Sequence, residues 1–363
     1  LWSEEYDEPL GDLPGAQRNI SATVARHVSL LGATQRALTR PHSANADAYQ
    51  HYLRATHLLH AGDADLGAPI ELYRAATVAD PDYALAWASL SATLSLRALW
   101  GFGPARALTA EAEAAARRAM ALDPSLAESH QAVGRVQVLR GDLQAAGHAF
   151  ERAIEFDPAS IDVREDYAGW VLSRVGRLAE AREQLDRCLT LDAHHWAVRI
   201  QMAQVLARMG HLDEAERRLL EMSALGTGAP RGRVRLGNIA ARRGRYDEAV
   251  AHYESAAASI RSSWVLGHLG WGLARAGRAS EARAVLDELR GGDFPDPRVA
   301  IAAIHAGLDE GDAALAQLEQ AAAERSAELK GGHVDLRFHA LRALPRFRAL
   351  VAQVDGPEAL RGL

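Results

Sequence analysis

The sequence predicts an all-α protein built as a solenoid of antiparallel helix pairs. Three observations carry this expectation. Similar stretches recur at a fixed interval; small residues stand at fixed places within each stretch; and the composition is that of closely packed helices. Hydrophobic residues make up 48% and charged residues 24%, which are globular values, while aromatics are only 6% and alanine is abundant. Alanine has the best helix propensity and lets helix axes approach, whereas a β sandwich draws on aromatic and β-branched residues.

The interval is read from "AESHQAVGRVQVLRGDLQAAGHAFERAIEFDPAS", "DVREDYAGWVLSRVGRLAEAREQLDRCLTLDAHH", "WAVRIQMAQVLARMGHLDEAERRLLEMSALGTGA" and "PRGRVRLGNIAARRGRYDEAVAHYESAAASIRS". The last three follow one another without a gap at 34 residues. Gly141, Gly176, Gly210, Gly244 and Gly277 fall where one helix must stop and the chain reverse, a place that needs a left-handed backbone. Ala146, Ala181, Ala215, Ala249 and Ala282 mark the crossing of the second helix over the first. Phe150, Leu185, Leu219, Tyr253 and Leu286 follow one turn later on the same face. Pro81, Pro124 and Pro158, each after an aspartate, end second helices, because the residue before proline is disfavoured in helical conformation.

Glycine, alanine, aromatic and proline at these places, repeating at 34 residues, resemble the tetratricopeptide repeat. The resemblance covers about Ala44 to Arg325 as eight tandem repeats, and it implies a right-handed superhelical solenoid whose first helices line a concave groove. The first repeat departs from the pattern with Pro69 at the alanine place. The second carries the insertion "RALWGFGPARAL", and the eighth has Asp309 at the glycine place. Residues 41–326 are therefore expected to be the array. Residues 327–363, with "VDLRFHALRALPRFRALVAQV", are expected to cap its open end with a terminal helix.

Residues 1–40 differ in kind. An extended start with Pro9 and Pro14 leads to a helix with Ile20, Val24, Val28 and Leu31 on one face. This segment resembles the closing strand and final helix of the TolB-like domain that precedes tetratricopeptide arrays in bacterial multidomain regulators. The chain begins at Leu1 and not at methionine, as a fragment or processed product does.

Composition and motifs exclude several function classes. A net charge of −6 gives no field for nucleic acid or an anionic membrane surface, and no apolar run is long enough for a transmembrane helix. There is no Gly-rich phosphate loop, no G-x-S-x-G elbow and no H-E-x-x-H helix, so neither enzymatic activity nor a cofactor is expected. His51, His57 and His60 share a predicted helix, yet nothing completes a metal site. Arg231, Arg233, Arg235, Arg242, Arg243 and Arg245 point to different faces of a hairpin and read as a solvated, salt-bridged surface. Cys188, at a place usually held by alanine, reads as a packed filler.

What remains is the groove that the resemblance implies. The ninth places of successive repeats read Arg135, Trp170, Gln204, Asn238 and Trp271, and the second and fifth places add Glu128, Gln131, Asp166, Arg231 and Trp264. Tryptophan supplies contact area, and amides satisfy peptide backbone groups. Gln131, Arg135, Asp166, Trp170, Gln204, Arg231, Asn238 and Trp271 are the expected partner-binding residues. Trp170 and Trp271 are open to two roles, recognition or packing between first helices, while Trp264 reads as packing. The Lys/Asn clamp that some family members use for acidic carboxyl termini is replaced by Asp166, Trp170 and Gln201. The expected function is a scaffold or sensor that binds a protein or peptide, in the cytoplasm or, with an upstream membrane span, in the periplasm. The alternative is the regulatory carboxyl-terminal half of a serine/threonine kinase or adenylate cyclase.

Overall fold

The structure, a computed structural model, describes residues 43–61, 66–100, 103–224, 229–292, 294, 296–324, 326, 329, 335–356 and 359–360. The expected strand and helix of residues 1–40 lie outside them. Among the described residues there is no β strand, and helices follow one another in eight antiparallel pairs. The first helices are α1 (Ala46–Ala61), α3 (Ala84–Leu99), α5 (Ala127–Arg140), α7 (Ile161–Asp166), α9 (Trp196–Arg208), α11 (Ala229–Arg242), α13 (Ser263–Arg275) and α15 (Arg298–Gly307). Their partners are α2 (Gly67–Ala79), α4 (Ala105–Leu122), α6 (Leu143–Phe156), α8 (Leu178–Leu191), α10 (Leu212–Ala224), α12 (Tyr246–Ala257), α14 (Ala279–Gly291) and α16 (Gly311–Ala323). First helices also pack on the first helices of neighbouring pairs, which gives the solenoid its inner face.

Local chemistry sets each boundary. The five turn glycines have φ between 74° and 89°, the left-handed region that glycine enters without a Cβ penalty. Asp309 takes the same conformation at φ 60°, as aspartate can, so the eighth pair turns without glycine. The aspartates before Pro81, Pro124 and Pro158 do more than precede a proline. Asp80, Asp123 and Asp157 accept the backbone N–H two residues on at 3.0 to 3.1 Å, which fixes the turn into the next pair. Pro69 lies buried in the first turn of α2, where a missing N–H costs no helical bond. The insertion of the second pair lengthens helices: α3 runs for 16 residues and α4 for 18.

Packing follows the small-and-large pattern. All five alanines of the crossing places are fully buried, and Phe150, Leu185, Leu219, Tyr253 and Leu286 beside them are at most 2% exposed. Cys188 is buried among them, its thiol pushed up to about 12 by burial, as an apolar filler and not a nucleophile. The core runs in two long strips, from Ala55 to Ile239 and from Val234 to Ala359, which meet within α11, and a small third cluster of Ala48, Tyr49, Ala76, Tyr83, Leu85 and Ala86 closes the first pair.

Two details depart from the expectation. The fourth pair carries a surplus residue, since Gly141 and Gly176 are 35 apart where Gly176, Gly210 and Gly244 follow one another at 34. The helix absorbs it: α7 passes directly into a π-helical stretch, Tyr167–Leu172, closed by Ser173 N–H donating to the Ala168 carbonyl five residues back. The terminal segment is not one helix. It forms a 3₁₀ turn, Leu336–Leu341, followed by α17 (Pro345–Asp355), because Pro345 has no N–H for a helix interior and stands instead at the helix start. α17 packs on α16, with Phe347, Leu350 and Val351 in the core, while the 3₁₀ turn lies against α15.

Candidate functional site

The inner face is built by first helices, and the expected partner-binding residues divide into two groups on it. Gln131, Arg135 and Asp166 are buried and bonded to one another. Gln131 Nε2 donates to Asp166 Oδ2 at 2.7 Å, Arg135 Nε donates to the same oxygen at 2.5 Å, and Arg135 Nη1 reaches the Ala92 carbonyl at 3.1 Å. Three successive first helices are cross-linked in this way. Asp166 is wholly enclosed, so these side chains hold the face together from within and present no charge to a partner. The repeat places fix which side of a helix a residue occupies; they do not reveal that two such places on neighbouring helices are close enough to pair.

Trp271 is likewise 5% exposed, packed edge-on to Tyr246 with ring centroids 6.1 Å apart and set against Gly307. Trp264 is half-buried, edge-on to His268 at 5.0 Å. His268 is buried and pushed down to about 3, by burial first and then by Arg337, so it is neutral and donates from Nδ1 to the Trp264 carbonyl.

Trp170, Gln204, Arg231 and Asn238 form the second group, and each is partly open. Trp170 lies in the π-helical stretch with the Arg174 guanidinium 4.8 Å above its ring. Gln204 holds the same place on α9, and its Oε1 is buried with no hydrogen-bond partner among the described residues. Asn238, the next in order, accepts the Tyr253 hydroxyl at 2.7 Å through Oδ1. Arg231 lies over the Trp100 ring, 3.4 Å from its centroid, and burial pushes its pKa down to about 10.

The electrostatics of this face are uneven. Glu165 is pushed up to about 8 by burial and by Asp166 beside it, against the pull of Arg135. Asp166 is raised by burial although Arg135 and Gln131 oppose the shift. The arginine run of the sixth pair splits. Arg243 pairs with Glu216 and Asp213, and Arg245 with Glu248, on the outer side. Arg231, Arg235 and Arg242 turn away from these pairs, so the run is a salt-bridged surface only in part. Arg174 and Arg208 have no place in the sequence-derived groove, and Arg242 enters there only as part of the arginine run; each stands two residues before a turn glycine. Among the described residues no three His, Cys, Asp or Glu side chains gather as metal ligands, and no helix is long and apolar enough to cross a membrane.

Comparison with known proteins gives the same architecture. Residues 172–233 match the tetratricopeptide repeat family model. No curated protein matches the sequence. Among solved structures, the Cut9–Hcn1 hetero-tetramer of the APC/C is similar, with 15% identity, a TM-score of 0.55 and coverage of 88% of this chain and 59% of that one. A tetratricopeptide repeat protein from Parabacteroides merdae shares 15% identity over 78% of this chain and 98% of its own, with a TM-score of 0.44. The pilF protein of Pseudomonas aeruginosa shares 22% over 56% of this chain and 90% of its own, with a TM-score of 0.42. Repeat spacing, left-handed turns, paired helices and the first of these likenesses make the chain an all-α solenoid of tetratricopeptide type.

Proposed function

We propose that this chain is a protein-interaction module that holds an extended polypeptide segment on its inner face, within a larger bacterial signalling or transcriptional regulator. The observation that carries the reading is Gln204: a buried side-chain carbonyl with no donor is costly, and a peptide N–H laid along the face satisfies it. Trp170 at the equivalent place of the neighbouring pair offers apolar area beside it, and Asn238 offers its amide N–H₂, since its Oδ1 already accepts from Tyr253. Arg231 flanks this track. Gln131, Arg135, Asp166 and Trp271 act from beneath by fixing the spacing of the first helices. The TolB-like resemblance of residues 1–40 is the ground for placing the module in a regulator.

Trp170→Ala and Gln204→Ala variants that unfold at the wild-type urea concentration should lose a partner captured by the full chain. Undiminished capture by both variants would move the site off the inner face.

A further inference from the structure

Four successive first helices carry the same side chain two residues before the turn glycine: Arg174, Arg208, Arg242 and Arg275 precede Gly176, Gly210, Gly244 and Gly277. Stacked repeats return equal places to one side, so these arginines form a ladder along the array. Its outer rungs have carboxylates. Arg275 reaches Asp309 at 3.3 Å, and Arg174 feels the charge of Asp355 at the end of α17. The inner rungs have no carboxylate bonded to them among the described residues, and the one carboxylate whose charge Arg242 feels is Asp335. Arg208 bonds only to neutral oxygens, the carbonyl and hydroxyl of Ser173. Arg242 is exposed and has no hydrogen bond or ion pair among the described residues.

The terminal segment adds a third cation. Arg342 follows the 3₁₀ turn, donates from Nη2 to the Asp335 carbonyl at 3.4 Å and leaves its Nε without a partner. The Asp335 carboxylate is occupied by Arg337, which grips both of its oxygens at 2.7 to 3.1 Å. Arg208, Arg242 and Arg342 lie within one another's fields. Burial pushes Arg208 down to about 10, with Arg242 and Arg342 adding to the shift, and burial followed by Arg242 lowers Arg342 against the pull of Asp335. The three guanidinium groups have only Asp335 among them, already gripped by Arg337, so positive charge is in surplus there and an anion offsets it.

We infer that Arg208, Arg242 and Arg342 form an anion site on the inner face that takes the side-chain carboxylates of an acidic peptide. This rests on the proposed groove and names the class of segment it holds. The neighbouring residues favour a peptide over a phosphate chain. Arg208 and Arg242 lie four residues beyond Gln204 and Asn238 on the same helices, so each repeat presents an amide for backbone and a guanidinium for a carboxylate one turn apart. Packed helices lie about 8–10 Å apart, and a chain in the polyproline II conformation returns every third residue to the same side after about 9 Å. Carboxylates at every third residue therefore meet successive rungs.

The test uses the full chain and labelled Gly-Ser peptides read by fluorescence anisotropy. One peptide has aspartate at every third place; the other has the same composition with its aspartates consecutive. The spaced peptide should bind about tenfold tighter or better, and Arg242→Glu, at an exposed position, should reduce its affinity about tenfold or more, as should Arg208→Gln. Arg140→Gln, where the native side chain pairs with Glu113 on another face, should leave binding unchanged. Equal affinity for the two peptides, no binding of either, or indifference to Arg242→Glu overturns the inference. A single-stranded oligonucleotide or inorganic phosphate that binds more tightly than the spaced peptide and is lost in Arg242→Glu also overturns it, in favour of a phosphate site. A natural partner lost from Trp170→Ala but retained by Arg242→Glu keeps the groove and removes its acidic ligand; a partner retained by both removes both.

Discussion

Arg231 of the sixth helix pair lies over Trp100 of the second, its Cζ 3.4 Å from the ring centroid, so two remote parts of the array meet across the inner face. The second pair reaches this far because its insertion lengthens α3 to Leu99 and leaves Trp100 at the tip. A cation–π contact is worth about 0.5–1 kcal/mol when exposed and about 2 kcal/mol or more when desolvated. A double-mutant cycle of Trp100→Ala and Arg231→Ala should return a coupling of about 0.5–2 kcal/mol in urea unfolding, and small-angle scattering of either variant should show a larger radius of gyration. Strict additivity of the two substitutions would show that the contact carries no energy.

The buried pair Arg135–Asp166 predicts an asymmetric response. Removing only one partner, as in Asp166→Ala, leaves the Arg135 guanidinium enclosed and should cost about 3–5 kcal/mol. Replacing both with apolar residues of similar size, Arg135→Met with Asp166→Leu, should recover most of that loss. Chemical denaturation of the three variants decides; a double variant as unstable as the single one contradicts the expectation.

Glu165 gives a pH dependence whose sign is fixed. Its folded-state pKa of about 8 lies above the ordinary carboxyl value, so between those two pH values the unfolded chain has released a proton that the folded chain keeps. The side chain's contribution therefore falls as pH rises from about 4.5 toward 8. Glu165→Gln should leave stability nearly unchanged at the acid end of that window and raise the urea midpoint increasingly toward its alkaline end. A constant difference between variant and wild type over the window would contradict this.

Two glycine substitutions should have opposite signs. A Cβ on Gly134 would lie 2.8 Å from the buried ring of Phe150, so Gly134→Ala should overpack the crossing of α5 and α6 and cost about 1–3 kcal/mol. A Cβ on Gly232 in α11 meets nothing within 4 Å, and Gly232→Ala should gain up to about 0.5–1 kcal/mol from backbone entropy alone. Urea midpoints that move in the same direction would show that space does not decide.

The helix pairs were readable because their boundaries depend on single residues with narrow chemistry. A left-handed turn selects glycine and accepts Asp309, and a helix crossing selects alanine. The inner face was read less well. Asp166, Arg135 and Gln131 stand at surface places in the repeat, and only the proximity of neighbouring first helices turns them into a buried triad. The ladder of Arg174, Arg208 and Arg242 was visible as a recurrence. It was hidden by composition: Lys330 is the single lysine, so 40 of the 41 basic residues are arginine and no one arginine stands out. The terminal segment's reach to Arg208 and Arg242 has no signal in the repeat pattern.

The π-helical stretch at Tyr167–Leu172 has a consequence for how such an array tolerates change in length. One added residue in an α-helix rotates everything beyond it by about 100°, enough to swing the fourth pair's second helix off its neighbours. Widening a single turn acts instead as a splice: Asp166 before it stays in phase with Arg135 behind, and Arg174 after it stays in phase with Arg208 ahead. Deleting one residue within the stretch should then yield an ordinary helix in an intact solenoid, with Trp170 as the side chain whose direction is rewritten.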